Sequence, residues 1–173
     1  MEDLTPLPAP PESIHALAEL LRVHGLRMAC AESCTGGLIA AACTSLAGSS
    51  DWFERGVVSY SNAAKTELLG VAAELIAAHG AVSEPVARAM VEGVMRSPRV
   101  DVAVAVTGIA GPAGGSASKP VGTVWLAFGR RVLDGSIGTT AEHHLFEGDR
   151  AGVRAAAVNR ALRGLIERIP ARP

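Results

Sequence analysis

Apolar residues recur along the chain with two spacings, one typical of helices and one typical of buried strands. Helical spacing begins at Glu12 and stops at Gly25, and a second such pattern covers 149–169 with arginines on its polar side. A β-branched run at 100–107 is bounded by Gly108 and predicts a central strand. The same criteria predict further helices at 36–46, 61–70, 71–78 and 83–96, and further strands at 26–32, 55–60, 121–128 and 136–146.

These elements alternate as they do in proteins of the α/β class. Helices separate the early strands, whereas the last two predicted strands follow each other directly and therefore indicate an antiparallel hairpin. The segment 108–120 (GIAGPAGGSASKP) is too rich in glycine for regular structure and is predicted to be a loop. Ser61 and Ser83 are expected to cap the helices that they precede.

The length of the chain fits one domain. A chain of 173 residues buries about 70% of its unfolded surface when it folds, so we expect a single domain at 12–173. Four prolines within 1–11 predict an extended tail before that domain. Because 49% of the residues are apolar and only 19% are charged, the domain should be globular rather than disordered.

Charge and apolar content also narrow the classes of partner. A net charge of −1 and 3% aromatic residues argue against nucleic acid, which needs a basic surface and stacking side chains. No apolar run reaches the roughly 20 residues that span a bilayer, and the first residues lack the basic and apolar regions of a secretion signal. We therefore expect a cytoplasmic protein without a membrane partner. An odd number of cysteines, three, is consistent with reduced thiols.

Several well-known motifs of enzymes are absent. The sequence contains no G-x-G-x-x-G for dinucleotides, no Walker A motif for nucleoside triphosphates and no G-x-S-x-G elbow. His143 and His144 are adjacent on a predicted strand, so they should point to opposite faces and cannot chelate one metal together. Cys30, Cys34 and Cys43 do not have the spacing of a structural zinc site and are interpreted as packed thiols. No metal or cofactor is expected.

Polar residues follow three of the predicted strands, and their types suggest amide chemistry. Ser33 follows the first strand, Tyr60 and Lys65 follow the second, and Thr107 precedes the glycine-rich loop. In a parallel sheet these positions could meet at one edge, where a lysine kept neutral by burial could take the hydroxyl proton of a serine. The alternative is that Ser33 only caps a helix, Tyr60 is a buried aromatic residue and Lys65 is solvated.

Six runs of residues resemble the CinA C-terminal domain family. They occur in unbroken order, and the similarity extends from about residue 12 to residue 169. The runs are AESCTGG at 31–37, AGSSDWFERG at 47–56, YSNAAK at 60–65, HGAVSEP at 79–85, TGIAGP at 107–112 and KPVGTVW at 119–125. Members of this family act as nicotinamide mononucleotide amidohydrolases, so the resemblance implies hydrolysis of a carboxamide to a carboxylate with release of ammonia.

The resemblance also implies a fold and a set of site residues. The fold is a three-layer α/β/α sandwich with a mixed, mainly parallel sheet of about five strands. The nucleophile falls on Ser33 and the general base on Lys65, while Tyr60 would position that base or the substrate. Three further residues fall on family positions that line the nucleotide site, namely Ser50, Thr107 and Arg150.

The proposed chemistry suits these residue types. Attack by a serine on a carboxamide generates an oxyanion, which the backbone amides of Thr35, Gly36 and Gly37 are expected to stabilise. The 5′-phosphate of the nucleotide needs amides or cations close by. Gly108, Gly111 and Arg150 are expected to supply them, because glycines allow close approach and arginine offers a bidentate contact.

The family also suggests how the protein works in the cell. A small-molecule nucleotide is the expected substrate, in pyridine-nucleotide salvage, and a homodimer is expected because family members commonly form dimers. The alternative is a catalytically silent nucleotide-binding or competence-associated interaction module on the same fold. The presence of both Ser33 and Lys65 favours the enzyme.

Overall fold

The computed structural model describes residues 12–170, and within them the chain forms six α-helices and five strands. The tail predicted at 1–11 lies outside the described residues. The helices are α1 Ser13–His24, α2 Leu38–Thr44, α3 Asn62–Leu69, α4 Ala73–His79, α5 Glu84–Val94 and α6 Arg150–Arg168. The strands are β1 Met28–Glu32, β2 Phe53–Val58, β3 Val102–Gly108, β4 Thr123–Arg131 and β5 Ile137–Leu145. A short 3₁₀ helix, Ser49–Asp51, precedes β2.

The strands form one sheet in the order β2-β1-β3-β4-β5, with β3 at its centre. β1 pairs in parallel with β2 and with β3, and its first residue, Met28, lies opposite Phe53 and Val102. β4 pairs antiparallel with both β3 and β5, which confirms the predicted hairpin. The sheet is therefore mixed, and every strand except β4 runs in the same direction.

Helices cover both faces of the sheet, so the architecture is a three-layer α/β/α sandwich. On one face, α1, α2 and α6 pack against alternate residues of the central strands, such as Cys30, Val104 and Leu126. On the other face, α3, α4 and α5 pack against the residues between them, such as Ala29 and Ala105. β3 is buried on both faces, which accounts for its continuous β-branched and alanine sequence.

The connections after β1 and β2 leave the sheet on opposite sides. The chain continues from β1 into α2 on one face, and from β2 into α3 on the other face. In open α/β sheets such a divergence opens a crevice at the carboxyl ends of the strands, and ligands bind there. Ser33 directly follows β1 and Lys65 lies in α3, so both belong to this edge.

Helix caps agree with the sequence at Ser61 but not at Ser83. The Ser61 hydroxyl accepts a hydrogen bond from the Ala64 amide at 3.0 Å. The Ser83 hydroxyl instead donates to the Gly80 carbonyl at 2.8 Å, so the expected cap does not form. Pro85 explains the difference, because it removes one of the two first-turn amides that a capping side chain could use. Among the described residues, no helix combines the length and apolarity needed to cross a bilayer.

Candidate active site

Ser33 and Lys65 meet at the carboxyl edge of the sheet. The Ser33 amide donates to the Val106 carbonyl at 3.0 Å, which holds the residue against β3. The Lys65 amine lies 3.0 Å from the Ser33 hydroxyl and donates to the Ser59 carbonyl at 2.7 Å. Lys65 is 1% exposed and Ser33 is 9% exposed. The structure therefore excludes the alternative in which Lys65 is a solvated helix residue.

The α3 helix fixes the position of this lysine. Ser61 caps the helix, and the Lys65 amide donates to the Ser61 carbonyl at 3.1 Å. Gly70 ends the helix in the left-handed region, with φ of 63°, where glycine avoids the strain that other residues meet. Lys65 thus lies on the buried side of a short helix that is held at both ends.

The environment of Lys65 favours its neutral form. Burial lowers the pKa of the Lys65 amine from its ordinary value of 10.5, and the Cys34 thiol, when ionised, opposes that change. Its two hydrogen-bond partners are a hydroxyl and a carbonyl. None of the ion pairs within residues 12–170 includes Lys65. A neutral amine at 3.0 Å can accept the serine proton, so the pair has the geometry of nucleophile and general base.

A cleft of about 270 Å³ opens in front of this pair. Seven of the residues singled out in the sequence line it: Ser33, Tyr60, Lys65, Thr107, Gly108, Gly111 and Arg150. The Thr107 hydroxyl donates to the Ala81 carbonyl at 2.8 Å and so ties the end of β3 to the loop before α5. Gly108 is required for packing, because a side chain there would come within 3.1 Å of the Cys34 sulfur and 2.7 Å of Val124.

Tyr60 and Arg150 form the mouth of the cleft. The guanidinium of Arg150 donates to the Tyr60 hydroxyl and to the Gly111 carbonyl, each at 2.9 Å. Tyr60 is 60% exposed, which rules out the alternative of a buried aromatic residue. Its hydroxyl is bonded to Arg150 and not to Lys65, so Tyr60 faces the substrate side of the cleft rather than the base.

Glu32 occupies the place that the sequence assigned to an oxyanion. Its carboxylate is fully buried and accepts hydrogen bonds from the amides of Gly37, Ile39 and Ala40 at 2.9–3.1 Å. The Gly36 amide donates to the Ser33 carbonyl at 3.0 Å. The expectation that Gly36 and Gly37 stabilise an oxyanion is therefore wrong, because both amides already have acceptors.

The amides of Cys34 and Thr35, which precede these two glycines, are a different case. Within the described chain, neither amide donates to the backbone of another residue. The Thr35 side chain itself is fully buried and does not line the cleft. Thr35 therefore cannot present its amide to a ligand in the cleft, whereas Cys34 lines the cleft and offers the remaining amide next to Ser33.

Ser50 lies away from the cleft. It belongs to the 3₁₀ helix before β2, and its carbonyl accepts from the Arg27 side chain at 2.8 Å, next to the start of β1. Ser33 follows the end of β1, so the two serines lie at opposite edges of the sheet. The expectation that Ser50 lines the same cleft of this chain is wrong.

Two functional candidates escaped the sequence analysis. The first is Glu32, for which the sequence predicted no role. Its position at the end of a buried strand, before a helix whose N-cap is a glycine without a capping side chain, could have indicated that its carboxylate accepts from the first amides of that helix. Arg154 donates to the Thr35 carbonyl at 3.0 Å from the middle of an arginine-rich helix, and nothing in its spacing distinguished it from its neighbours. The prediction that His143 and His144 point to opposite faces of their strand is confirmed, because His143 contacts Trp125 whereas His144 stacks on Phe146.

Comparison with known proteins gives one family throughout. The model of the CinA C-terminal domain matches residues 12–169. A protein of Enterobacter agglomerans named nicotinamide-nucleotide amidohydrolase PncC is 56% identical over 137 residues, which are 79% of this chain and 81% of that protein. The protein of the same name from Escherichia coli K12 is 48% identical over 149 residues, 86% of this chain and 88% of that protein.

Other relatives are longer, and solved structures share the fold. A CinA-like protein of Syntrophobacter fumaroxidans is 54% identical over 84% of this chain, which spans only 33% of that relative's length. The crystal structure of a CinA superfamily protein from Klebsiella pneumoniae superposes with a TM-score of 0.83 at 40% identity, covering 91% of this chain and 96% of that one. The competence/damage-inducible protein CihA of Agrobacterium tumefaciens gives 0.81 at 44% identity, with coverage of 93% and 98%.

Proposed function

The chain belongs to the CinA C-terminal domain family, and on that premise we propose that it hydrolyses the carboxamide of nicotinamide mononucleotide. The products are nicotinate mononucleotide and ammonia. The observation that carries the proposal is the buried contact of 3.0 Å between the Lys65 amine and the Ser33 hydroxyl. Relatives named nicotinamide-nucleotide amidohydrolase, which align over more than three quarters of this chain, support the substrate.

The first half of the reaction forms an acyl-enzyme. The Ser33 oxygen attacks the carboxamide carbon while the neutral Lys65 amine takes the hydroxyl proton. The amide of Cys34, which lines the cleft, is the donor that serves the resulting oxyanion. When the tetrahedral intermediate collapses, the carbon–nitrogen bond breaks, Lys65 returns its proton to the departing nitrogen, and ammonia leaves.

The second half reverses the proton relay. Water attacks the acyl carbon, Lys65 takes a proton from that water, and the bond to the Ser33 oxygen breaks as the serine regains a proton. The pyridinium ring of the substrate carries a positive charge, which disfavours a protonated lysine beside it. Substrate binding therefore assists burial in keeping the amine of Lys65 neutral.

The rest of the cleft fits a nucleotide. Arg150 lies at the mouth, and Gly108 and Gly111 expose backbone to a ligand. No step of this mechanism uses a metal or a cofactor. As part of the proposal, the protein acts as a homodimer in the cytoplasm, on a small-molecule nucleotide in pyridine-nucleotide salvage, and these points rest on the family and the sequence.

Incubation of the purified protein with nicotinamide mononucleotide tests the reaction. Ammonia and nicotinate mononucleotide should appear in equal amounts. Ser33→Ala should abolish turnover and Lys65→Met should lower kcat roughly 10²- to 10⁴-fold, the usual contribution of a general base. Ser45→Ala, whose hydroxyl only donates to the Ala42 carbonyl within α2, is the matched control and should retain full activity. Tight binding without turnover by the unmodified protein would instead favour the silent binding module.

A further inference from the structure

A second cavity lies beside the catalytic cleft and shares part of its wall. Its volume is about 630 Å³, larger than the cleft itself. Ala110 and Arg150 line both spaces. A ligand that reaches from Ser33 into this cavity would therefore pass Ala110 and Arg150, which makes the cavity a continuation of the site.

Arg154 lines the cavity one helical turn beyond Arg150 on α6. One of its terminal nitrogens donates to the Thr35 carbonyl at 3.0 Å, two residues after the nucleophile. Its Nε is buried and, within residues 12–170, has no hydrogen-bond partner. A guanidinium carries five N–H donors, so beyond its bond to Thr35 the side chain keeps donors for a ligand in the cavity that it lines.

The charge at this end of α6 is also unusual. Further along the helix, Arg160 and Arg168 both form ion pairs with Glu142. No ion pair among the described residues includes Arg150 or Arg154. Asp149 is the acidic residue in the wall of the cavity, and its carboxylate already accepts from the Gly152 amide at 2.8 Å. Two guanidinium groups against one carboxylate leave the cavity positive.

We propose that Arg154 binds the 5′-phosphate of the substrate in this cavity and so sets the preference for a nucleotide over its riboside. This inference rests on the proposed function and adds a residue and a location to it. A phosphomonoester is a dianion with three acceptor oxygens, and the fork of an arginine matches it better than any other side chain. Arg150 already donates two hydrogen bonds, to Tyr60 and Gly111, whereas Arg154 donates one, to Thr35, and keeps more of its donors for the ligand.

The test compares nicotinamide mononucleotide with nicotinamide riboside, which lacks only the phosphate. In Arg154→Ala, kcat/KM for the nucleotide should fall about 10- to 100-fold, the loss expected for a charge-assisted contact, while the riboside changes less than about twofold. Arg154→Lys keeps the charge without the fork and should fall between Arg154→Ala and the parent. Arg163→Ala removes an exposed arginine of the same helix and should leave the ratio unchanged.

A binding measurement separates this inference from the proposed reaction. Dissociation constants for both compounds are measured by calorimetry in the Ser33→Ala background, where neither should be consumed. Loss of the nucleotide preference on adding Arg154→Ala supports the inference even if the unmodified protein releases no ammonia, a result that would remove the proposed reaction alone. An unchanged preference overturns the inference, as does an equal loss for both compounds, which would mean that Arg154 acts only through the Thr35 carbonyl.

Discussion

Lys65 is buried without a carboxylate partner, a setting that charged side chains rarely occupy in proteins. The two oxygens it reaches, on Ser33 and Ser59, are neutral and cannot repay the loss of water around an ammonium group. Burial therefore favours the form of the amine that can take a proton. The same property that costs stability at neutral pH suits this lysine to the role of base that we propose for it.

The lowered pKa of Lys65 predicts how activity depends on pH. The rate should rise with pH through the folded-state pKa of Lys65, which lies below 10.5, because only the neutral amine accepts the serine proton. A kcat/KM profile for nicotinamide mononucleotide measures this. A profile whose ascending limb is centred at or above 10.5 would contradict the assignment of Lys65 as the base.

The sign of the accompanying stability change follows from the same pKa. Between the lowered folded-state pKa and 10.5, Lys65 is more protonated in the unfolded chain than in the folded protein, so its contribution to the free energy of unfolding rises with pH in that window. Denaturant titrations of the parent protein and of Lys65→Met should diverge there. The variant lacks the group, so the stability of the parent minus that of the variant should rise with pH in this window.

At the scale of elements, α6 carries Arg150 and Arg154 and packs closely against strand β4. Gly164 faces the Phe128 ring of β4, and a β-carbon at that position would overlap the ring. Gly152, on the same helix, has room, since its nearest neighbour would be the Asp149 carboxylate at 3.4 Å. The close packing of α6 against the sheet therefore depends on Gly164 and not on Gly152.

This difference predicts opposite effects for the same substitution. Gly164→Ala should lower the free energy of unfolding by about 1–3 kcal/mol, because the added methyl overpacks the interface with Phe128. Gly152→Ala should be neutral or stabilising by up to about 1 kcal/mol, because alanine is the better helix former. Chemical denaturation of both variants measures this, and equal destabilisation by the two would contradict the close approach at Gly164.

The elements themselves were largely predictable, because the signals that define them are local. The helix predicted at 149–169 is α6 at Arg150–Arg168, and the strand predicted at 100–107 is β3 at Val102–Gly108. The hydrogen-bond partners of polar groups and their positions relative to the cleft were not predictable in the same way. Whether the Gly37 amide faces a substrate or Glu32, and at which edge of the sheet Ser50 lies, depends on contacts between elements that no local pattern records.

At the scale of the whole molecule, all three cysteines belong to the same one of the two cores, so their reactivity measures whether that core is folded. Cys30, Cys34 and Cys43 are free and buried, and all three pack on the face covered by α1, α2 and α6. Burial raises the pKa of Cys34 to about 11 and that of Cys43 to about 12, and it raises the pKa of Cys30 as well. Near neutral pH these thiols are shielded and un-ionised.

Thiol labelling should therefore follow global unfolding. At pH 8 the folded protein should react with an aromatic disulfide reagent no faster than it unfolds, whereas all three thiols should react at once in guanidinium chloride. Absorbance of the released thiolate measures both. One fast thiol that disappears in Cys34→Ser would contradict the prediction and show that the cleft opens locally, because Cys34 is the cysteine that lines it.

The bond between Arg150 and Tyr60 joins residues 90 positions apart in the chain. During synthesis, the serine, the lysine and the tyrosine leave the ribosome well before the helix that carries Arg150. Until α6 has emerged, the chain lacks both Arg150 and the apolar residues with which this helix covers one face of the sheet. Under the proposed function, products of premature termination that stop before α6 would therefore be inert.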